Sequence, residues 1–293
     1  MTRIALIGLG EVGQILADDL RKAGEISAYD ILFSDEASKP SRAAAARNIG
    51  RAKSAGDAAR GASLIISAVT AASDLEAAKS VVPGLDKGAF FVDLNSVSPG
   101  QKQASAEIIN GAGGRYVEAA VMTPFPPKRV ASPMLLGGPH AQEFLGAFGA
   151  LGFSARVFSE KYGQASATKM CRSVMIKGIE ALVTESMLAA RHYGVEKTVL
   201  ESLSDLLPVG DWEKLARYMI SRSLEHGTRR AEEMREVAET VRDAGIDPLM
   251  SLATAARQDW AASYGKLATE NDFGLVLDAI LNSKSGQYEQ LPG

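Results

Sequence analysis

Residues 4–20 read IALIGLGEVGQILADDL and decide the fold expected for the first half of the chain. The apolar run from Ile4 to Ile7 is typical of a buried strand, and the residues after Gly13 have the spacing of an amphipathic helix. Three glycines separate the two elements in the spacing GxGxxG, at positions 8, 10 and 13. The segment therefore predicts a strand, a tight turn and a helix in direct succession.

This glycine-rich turn predicts dinucleotide binding. A lone GxGxxG is weak evidence in a chain with 28 glycines, but its place between a strand and a helix makes it much stronger. Gly8 permits the tight turn, Gly10 lets the backbone approach a pyrophosphate, and the helix N-terminus supplies N–H groups. The cofactor-binding residues expected here are Gly8, Leu9, Gly10, Glu11, Val12 and Gly13.

The choice between NAD and NADP depends on an acidic residue about 20 positions further on, at the end of the second strand. We predict that strand at Ile31–Ser34, so that Asp35 would bind the ribose hydroxyls, repel a 2′-phosphate and favour NAD. Lys39 and Arg42 follow closely and could reach a 2′-phosphate, so NADP stays a possible coenzyme. The alternative for Asp35 is that it only caps a helix or turn. Two more residues should line the adenosine side of the site, Val69 and Thr70.

Short β-branched runs alternate with Ala-rich helical stretches up to about residue 160, and only helical spacing follows. The predicted strands are Arg3–Ile7, Ile31–Ser34, Leu64–Ala68, Ala89–Leu94, Arg115–Ala120, Met134–Leu136 and Ala155–Phe158. The predicted helices are Val12–Ala23, Ser73–Val82, Gly100–Asn110, His140–Leu151, Ser166–Tyr193, Glu196–Leu206, Trp212–Leu224, Arg229–Ala244, Pro248–Tyr264 and Asn271–Leu281. The pattern predicts an α/β Rossmann-type domain with a doubly wound parallel sheet in residues 1–160 and an all-α domain in residues 161–293.

The composition narrows the function classes. The chain has 46% hydrophobic and 23% charged residues, and 32 basic against 35 acidic side chains leave a net charge of −3. This balance predicts a globular protein without the positive field that collects nucleic acid or an anionic membrane. We expect no membrane span, because no stretch approaches about 20 apolar residues.

The cysteine and histidine content predicts a reducing compartment and no metal site. One cysteine, Cys171, excludes an intrachain disulfide framework and fits the cytoplasm. We expect it to be a buried packing residue, because it lies two positions from Lys169 and so faces away from it on a helix. Three scattered histidines show no ligand spacing.

Two further segments carry polar groups in places that suit chemistry. DLNSVSP, residues 93–99, follows a predicted strand. Ser98 and Pro99 are explained as the cap and first residue of a helix, but Asn95 and Ser96 are not, and we expect them at the nicotinamide end of the site. GQASATKMCRS, residues 163–173, opens the long helix and contains Lys169.

Together these features resemble the β-hydroxyacid dehydrogenases, the group that includes 3-hydroxyisobutyrate dehydrogenase and 6-phosphogluconate dehydrogenase. The resemblance rests on GLGEVG, on DLNSVSP, on Gly137–Gly138 and on GxxxxxK ending at Lys169. The segment HGTRRAEEMREVAETVRDAG, residues 226–245, is similar to a less characterised branch of phosphogluconate-dehydrogenase-like oxidoreductases.

The resemblance implies an NAD(P)-dependent oxidoreductase that transfers hydride between nicotinamide and a small hydroxy acid or sugar acid. Lys169 would be the general acid or base, and Ser96 would bind the substrate together with Asn95. The resemblance also implies a homodimer or a higher homo-oligomer. A partly desolvated lysine suits this role, because burial lowers its pKa towards operating pH.

Departures from the family pattern lie at the expected substrate pocket. Arg172, followed by Ser173, stands where the family has Asn, and a guanidinium there would hold a carboxylate or form a salt bridge. Met122 and Thr123, followed by Pro124, replace a glycine-containing segment, which predicts a different pocket lined by these residues.

One face of a later helix is a further candidate for binding an acidic substrate. His226, Arg230 and Glu233 have i, i+4 and i+7 spacing. The family's Lys–Asp pair aligns with Glu232 and Glu233, and its lysine is missing. A solvated, salt-bridged surface is the alternative.

Two other functions stay open. The first is reduction of an imine, or an oxidation coupled to isomerisation or decarboxylation, which would suit the unusual Met122 segment. The second is a non-catalytic dinucleotide sensor, against which the presence of Lys169 argues.

Overall fold

Eight strands and six helices make up the first part of the chain in the computed structural model, which describes residues 2–203, 210–270 and 272–283. The strands are β1 (Thr2–Ile7), β2 (Gly24–Tyr29), β3 (Gly50–Arg51), β4 (Leu64–Ser67), β5 (Phe90–Asp93), β6 (Arg115–Val121), β7 (Met134–Gly137) and β8 (Ala155–Ser159). The helices are α1 (Glu11–Leu20), α2 (Lys39–Arg47), α3 (Ala55–Ala59), α4 (Asp74–Val81), α5 (Pro99–Gly111) and α6 (Ala141–Phe148).

The strands form one sheet in the order β3-β2-β1-β4-β5-β6-β7-β8. β1 pairs in parallel with β2 on one side and with β4 on the other, so the direction of winding reverses between β1 and β4. β7 runs antiparallel to β6. In doubly wound sheets the crevice at such a reversal, at the carboxyl ends of the strands, is where ligands bind. The predicted Rossmann-type sheet is confirmed.

Both faces of the sheet are covered by helices. Ile4 and Leu6 of β1 pack in one core with residues of α1, α2 and α6, whereas Ala5 and Ile7 pack in a second core with α3, α4 and α5. Alternate residues of a strand point to opposite faces. The continuous apolar run IALI is therefore explained by burial on both sides.

The second strand differs from the one expected. It is Gly24–Tyr29, and the predicted strand Ile31–Ser34 is a 3-10 turn. Ile31 and Leu32 are 71% and 50% exposed, so their apolar character does not indicate burial. Asp30 turns the chain, because its side chain accepts a hydrogen bond from the Leu32 N–H. Helices α2 and α3 and the short strand β3 were not predicted.

Helices alone follow β8 in the part of the chain that the structure describes. They are α7 (Gln164–His192), α8 (Glu196–Leu203), α9 (Trp212–Asp243), α10 (Leu249–Ala262) and α11 (Phe273–Asn282). Residues 204–206 of the predicted helix Glu196–Leu206 and Asn271 of the predicted helix Asn271–Leu281 lie outside the described residues. Met187, Leu188, Trp212, Ile220 and Leu277 are among the buried residues of one core.

Helix α9 is continuous, whereas the sequence predicts two helices, Trp212–Leu224 and Arg229–Ala244. Gly227 lies in the predicted gap. A Cβ there would lie 2.4 Å from the carbonyl oxygen of Gln258 and 2.8 Å from the nitrogen of Ala262, both on α10. The glycine therefore allows two helices to approach closely, and it does not interrupt its own helix.

The described residues form two compact units. One extends to Cys171 and includes Glu239–Ala244; the other comprises Arg172–Ala238 and the residues from Gly245 onward. We call them the dinucleotide unit and the helical unit. No described helix is sufficiently long and apolar to cross a bilayer.

A buried polar cluster lies at the carboxyl ends of β4 and β5. Lys102 Nζ lies 2.7 Å from Asp93 Oδ1 and also donates to the Asp93 carbonyl oxygen, at 3.1 Å. The Tyr116 hydroxyl donates to Asp93 Oδ2 at 2.6 Å. Lys102 is 1% exposed and Asp93 0%. A buried ion pair is tolerated when further hydrogen bonds satisfy both groups, as they do here.

Asp74 is a second carboxyl group of this cluster. Its Oδ1 accepts a hydrogen bond from Asn95 Nδ2 at 2.7 Å, and its Oδ2 accepts one from Ser105 Oγ at 3.0 Å. Burial, reinforced by the negative charge of Asp93, raises the pKa of Asp74 to about 7. Asp74 therefore holds a proton over much of the acidic range.

We predict that Gly227→Ala destabilises the protein. Alanine gains about 1 kcal/mol of helix propensity, but its Cβ would press on the α10 backbone, and overpacking costs about 1–3 kcal/mol. Urea denaturation measures the difference. Gly178→Ala is the matched control, because Gly178 lies on α7 with nothing within 4 Å of an added Cβ. A Gly227→Ala protein as stable as Gly178→Ala would contradict the close approach.

We also predict that Asp74→Asn flattens the pH dependence of stability. The folded state holds the Asp74 proton up to about pH 7, whereas the unfolded chain releases it near the ordinary aspartate pKa of 3.8. The free energy of unfolding therefore falls as pH rises through this window, by about 1 kcal/mol per pH unit for one such group. Asparagine retains both hydrogen bonds without titrating. Free energies of unfolding at pH 5 and pH 8 measure the effect, and parallel profiles for the two proteins would refute it.

Candidate active site

The glycine-rich turn brings β1, α1 and β4 into close contact. Gly8 has φ +93° and donates its N–H to the Tyr29 carbonyl oxygen at 2.8 Å. A Cβ at Gly8 would lie 2.5 Å from the carbonyl oxygen of Ala68, and one at Gly13 would lie 2.1 Å from that of Gly8. Any side chain at these two positions would push the elements apart.

The same turn fits a dinucleotide phosphate. A Cβ at Gly10 would meet nothing within 4 Å. Helix α1 begins at Glu11, and its N-cap, Gly10, has no side chain to satisfy the first N–H groups. The first turn, with Glu11 and Val12, thus offers backbone donors and a positive dipole end to an anion.

Asp30, rather than Asp35, directly follows the second strand. Asp30 Oδ2 accepts a hydrogen bond from the Leu9 N–H at 2.8 Å, so its carboxylate lies against the glycine-rich turn. Asp35 follows the 3-10 turn, and its Oδ1 accepts the Ala37 N–H at 2.8 Å. The argument that placed Asp35 at the strand end is wrong. Both residues satisfy a spacing of about 20 from the glycines, and only the correct strand separates them.

Val69 and Thr70 directly follow β4, at the edge predicted for the adenosine side. The Val69 N–H donates to Asn95 Oδ1 at 2.7 Å. Thr70 is exposed, and its Oγ1 lies 3.2 Å from Ser73 Oγ. Since Gly8 lies against Ala68, these residues border the glycine-rich turn across the point where the winding reverses.

Asn95 is part of the buried polar cluster. Its Nδ2 donates to Ser67 Oγ at 2.9 Å and to Asp74 Oδ1 at 2.7 Å, while its Oδ1 accepts from Val69. An amide NH₂ group has two hydrogens, and these two hydrogen bonds therefore engage both of them. Asn95 thus joins the ends of β4 and β5, and a role in donating to substrate or nicotinamide stays a prediction without support from these contacts.

Lys169 and Ser96, which the family resemblance assigns to one site, lie in contact. Lys169 Nζ donates to Ser96 Oγ. Ser96 follows β5, and Lys169 lies on the second turn of α7. Both side chains are half-buried, which leaves them accessible to a small molecule. A cation that can lose a proton is therefore held on a hydroxyl at the carboxyl end of the sheet.

Glu118 of β6 is a functional candidate that sequence reasoning missed. It is 0% exposed, and its carboxylate accepts the N–H groups of Gly163 at 2.7 Å and Ser166 at 2.6 Å. A charged residue amid the apolar strand YVEAAV was the available signal, because buried acids are rare without a partner.

The other candidate residues of the dinucleotide unit, Met122, Thr123 and Cys171, fall in different environments. The Met122 side chain packs against Ala120, Leu135 and Ala165. Thr123 Oγ1 is buried and has no hydrogen-bond partner among the described residues. Cys171 is exposed, so the expectation of a buried packing residue is wrong.

In the helical unit, Arg172 is exposed and forms no ion pair with any described residue. Ser173 is buried, and its Oγ accepts a hydrogen bond from Lys177 Nζ at 3.3 Å. Burial lowers the pKa of Lys177, and Glu233, whose Oε2 lies 2.5 Å from Lys177 Nζ, opposes that shift. Glu233 of α9 thus pairs with a lysine of α7, whereas the lysine that the family pattern has on the same helix is missing here.

His226 and Arg230 lie on α9 together with Glu233, because this helix begins before position 226 rather than at Arg229 as predicted, and the i, i+4 and i+7 spacing then puts the three residues on one face. Arg230 is 9% exposed and forms a salt bridge with Glu180 of α7. Burial lowers the pKa of Arg230. His226 Nε2 lies 3.3 Å from Glu225 Oε2. The charge of Arg230 is thus balanced by protein, and substrate binding by Arg230 or His226 stays a prediction.

The described residues include no group of three or more His, Cys, Asp or Glu side chains that could hold a metal ion.

Two family models match the chain. The NAD binding domain of 6-phosphogluconate dehydrogenase matches residues 3–141, and a domain of unknown function, DUF1932, matches residues 190–261. The first covers the glycine-rich turn and the strands up to β7. The dinucleotide unit is therefore a nicotinamide-dinucleotide-binding domain.

Solved structures resemble the chain over nearly its whole length. A conserved hypothetical protein from Sinorhizobium meliloti 1021 is 37% identical, with 95% of this chain and 96% of that chain covered and a TM-score of 0.72. The conserved protein MTH1747, of unknown function and described as structurally similar to 3-hydroxyacid dehydrogenases, is 30% identical, with 91% and 98% covered and a TM-score of 0.68. The fold is shared by Mycobacterium tuberculosis 3-hydroxyisobutyrate dehydrogenase with L-serine, at 16% identity, 96% and 99% coverage and a TM-score of 0.70.

These matches agree with the overall fold and with the glycine-rich turn, which lies within the matched NAD binding domain. They confirm the resemblance found in the sequence. The chain belongs to the β-hydroxyacid dehydrogenase superfamily, a group of oxidoreductases that use a nicotinamide dinucleotide.

Proposed function

We propose that this protein is an NAD-linked oxidoreductase that acts on a small hydroxy acid or sugar acid, with Lys169 as the general acid or base. The observation that carries the proposal is the hydrogen bond from Lys169 Nζ to Ser96 Oγ. It supports the proposal because the Lys169 amine lies at the carboxyl end of β5, on the sheet edge that also carries the glycine-rich turn.

Lys169 and Ser96 suit proton exchange with an alcohol. During oxidation the amine of Lys169 would take the proton of the substrate hydroxyl, and during reduction the ammonium would return it. Ser96, held by Lys169, would accept or donate a second hydrogen bond and orient that hydroxyl. The bound nicotinamide would supply the exchange of hydride.

Asp30 supports NAD as the coenzyme. Its carboxylate lies at the end of β2 and against the Leu9 N–H, where the ribose hydroxyls of a bound dinucleotide would be. An ionised carboxylate has further acceptor positions for these hydroxyls and would repel a 2′-phosphate. The role first given to Asp35 is therefore proposed for Asp30.

Arg172 is the better candidate for holding the substrate's negative charge. It lies three residues after Lys169 on α7 and makes no ion pair with a described residue, whereas Arg230 is committed to Glu180. A guanidinium binds a carboxylate through two parallel hydrogen bonds. This supports a small anionic substrate.

We also propose self-association through the helical unit. Several large apolar side chains there are exposed, including Leu249 at 66%, Met175 at 63% and Leu182 at 59%. Exposed apolar side chains in such numbers are typical of surfaces that contact another protein.

Lys169→Ala is expected to lower kcat by about 10²–10⁴-fold, the range for loss of a general acid or base, and to leave NADH affinity unchanged. Turnover is followed at the reduced-nicotinamide absorbance band with a panel of 3-hydroxyisobutyrate, 6-phosphogluconate, L-serine and cyclic imines. NADH binding is followed by its fluorescence. Lys79→Ala is the control, because Lys79 is an exposed lysine on α4.

Normal turnover in Lys169→Ala would refute the proposed role of the lysine. Turnover of imines alone would assign the protein to imine reduction. NADH binding without turnover of any panel member would favour a dinucleotide sensor.

Asp30→Asn is expected to raise the NADP-to-NAD ratio of kcat/KM by about tenfold or more, because a carboxylate that repels the 2′-phosphate is neutralised. Asp35→Asn is the matched control and should leave the ratio unchanged. A shift in Asp35→Asn without one in Asp30→Asn would return the role to Asp35. Steady-state kinetics with both coenzymes measures the ratio.

A further inference from the structure

We propose that Glu118 is a positioning residue for Lys169: its buried carboxylate fixes the first turn of α7, so that Lys169 Nζ stays on Ser96 Oγ. This inference rests on the proposed function, in which Lys169 exchanges a proton with the substrate.

The contacts of Glu118 lead directly to the start of α7. Its Oε2 accepts the Gly163 N–H at 2.7 Å and its Oε1 accepts the Ser166 N–H at 2.6 Å. The first N–H groups of a helix have no acceptor within the helix. One carboxylate therefore satisfies two of these groups, and it anchors the helix end three residues before Lys169.

The charge of Glu118 has no cationic partner among the described residues. The side chain is 0% exposed, and no described Lys, Arg or His forms an ion pair with it. A buried carboxylate is costly unless strong hydrogen bonds compensate it. The two N–H groups and the positive end of the α7 dipole do so here, so the carboxylate and the helix start hold each other in place.

The register of the sheet connects Glu118 to both residues of the Lys169–Ser96 pair. Glu118 of β6 is the pairing partner of Asp93 of β5. Ser96 comes three residues after Asp93, and Lys169 comes three residues after Ser166, which Glu118 binds. The position of the Lys169 amine relative to the Ser96 hydroxyl thus depends on a short series of contacts that runs through Glu118.

The neighbouring chain is built to leave room for this carboxylate. Gly137 is the partner of Glu118 on β7, and a Cβ there would lie 2.4 Å from Glu118 Oε2. A Cβ at Gly138 would lie 2.0 Å from the ring of Tyr162, the residue directly before Gly163. The two glycines therefore keep free the space in which Glu118 reaches the helix.

The second anchor of this helix end is apolar. Ala165, which is 0% exposed, packs against Ala120 of β6 and Leu135 of β7. This packing would keep the helix on the sheet without Glu118, but it is not directional. Loss of the two hydrogen bonds should therefore move Lys169 by a small amount rather than detach the helix.

The test compares Glu118→Gln with Glu107→Gln in the full-length protein. Both changes remove one carboxylate from the same unit, but Glu107 is exposed on α5. The glutamine of Glu118→Gln turns an acceptor into an NH₂ group that faces an N–H donor. The probes are NADH and 3-hydroxyisobutyrate, or the panel member that the wild-type protein turns over fastest.

We expect kcat per NADH-binding site to fall about tenfold or more in Glu118→Gln, since a displacement near 1 Å can cost that much. NADH affinity should stay within about twofold, and Glu107→Gln should behave as wild type. In the Lys169→Ala background, Glu118→Gln should cause no further loss, because residues that act through one another are not additive.

A smaller loss of kcat in Glu118→Gln would overturn the proposal. So would an equal loss with and without Lys169, since a merely structural role would act in both backgrounds. If Glu118→Gln yields no NADH-binding sites, Glu118→Asp replaces it: this variant keeps the charge but is one methylene too short to hold both N–H groups. Wild-type kcat in Glu118→Asp would also overturn the proposal.

The outcome separates this inference from the proposed function. If the wild-type protein turns over no panel member, or if Lys169→Ala is as active as wild type, the proposed function fails. If Lys169→Ala is slow and Glu118→Gln is fast, only the role of Glu118 fails.

Discussion

The buried ion pair of Asp93 and Lys102 is the contact on which the polar end of the sheet depends. It lies where β5 ends, with both side chains nearly inaccessible to water. Removal of either partner would leave an uncompensated charge in the core, which costs several kcal/mol. The Asn95 N–H is also bound to Asp93, at 2.8 Å, so the pair fixes the loop that carries Asn95 and Ser96. Through Asn95 it also fixes the Val69 backbone after β4.

The sequence predicted those parts of the fold and site that local patterns determine. IALI followed by GLGEVG specifies strand, turn and helix within 17 residues, and GxxxxxK places Lys169 at the start of a helix. Each of these patterns depends on neighbours in the chain. The dinucleotide unit could therefore be expected from local patterns, whereas the pairing of Lys169 with Ser96, 73 residues apart, was implied only by the family resemblance.

The rest depends on contacts between distant residues, which a single sequence does not contain. Ile31 and Leu32 have the composition of a strand but are exposed, and Asp30 owes its place to a bond with Leu9, 21 residues away. A glycine usually predicts a break in a helix, but Gly227 lies within α9 because the backbone of α10 is too close for a side chain at this position. Lys177 and Glu233 form an ion pair between two helices, and no local pattern links the two residues.

The hydrogen bond between Asp30 and the Leu9 N–H would link the choice of coenzyme to the stability of the glycine-rich turn. If Asp30 selects the coenzyme, it also stabilises the turn that binds the coenzyme's phosphates. A single substitution that removed the carboxylate would change selectivity and, at the same time, leave a backbone donor unsatisfied. A change of coenzyme through Asp30 would therefore also weaken the glycine-rich turn, at a cost of about 1–3 kcal/mol for the unsatisfied N–H. This linkage should make the preference slow to drift among related sequences, even where the substrate pocket diverges.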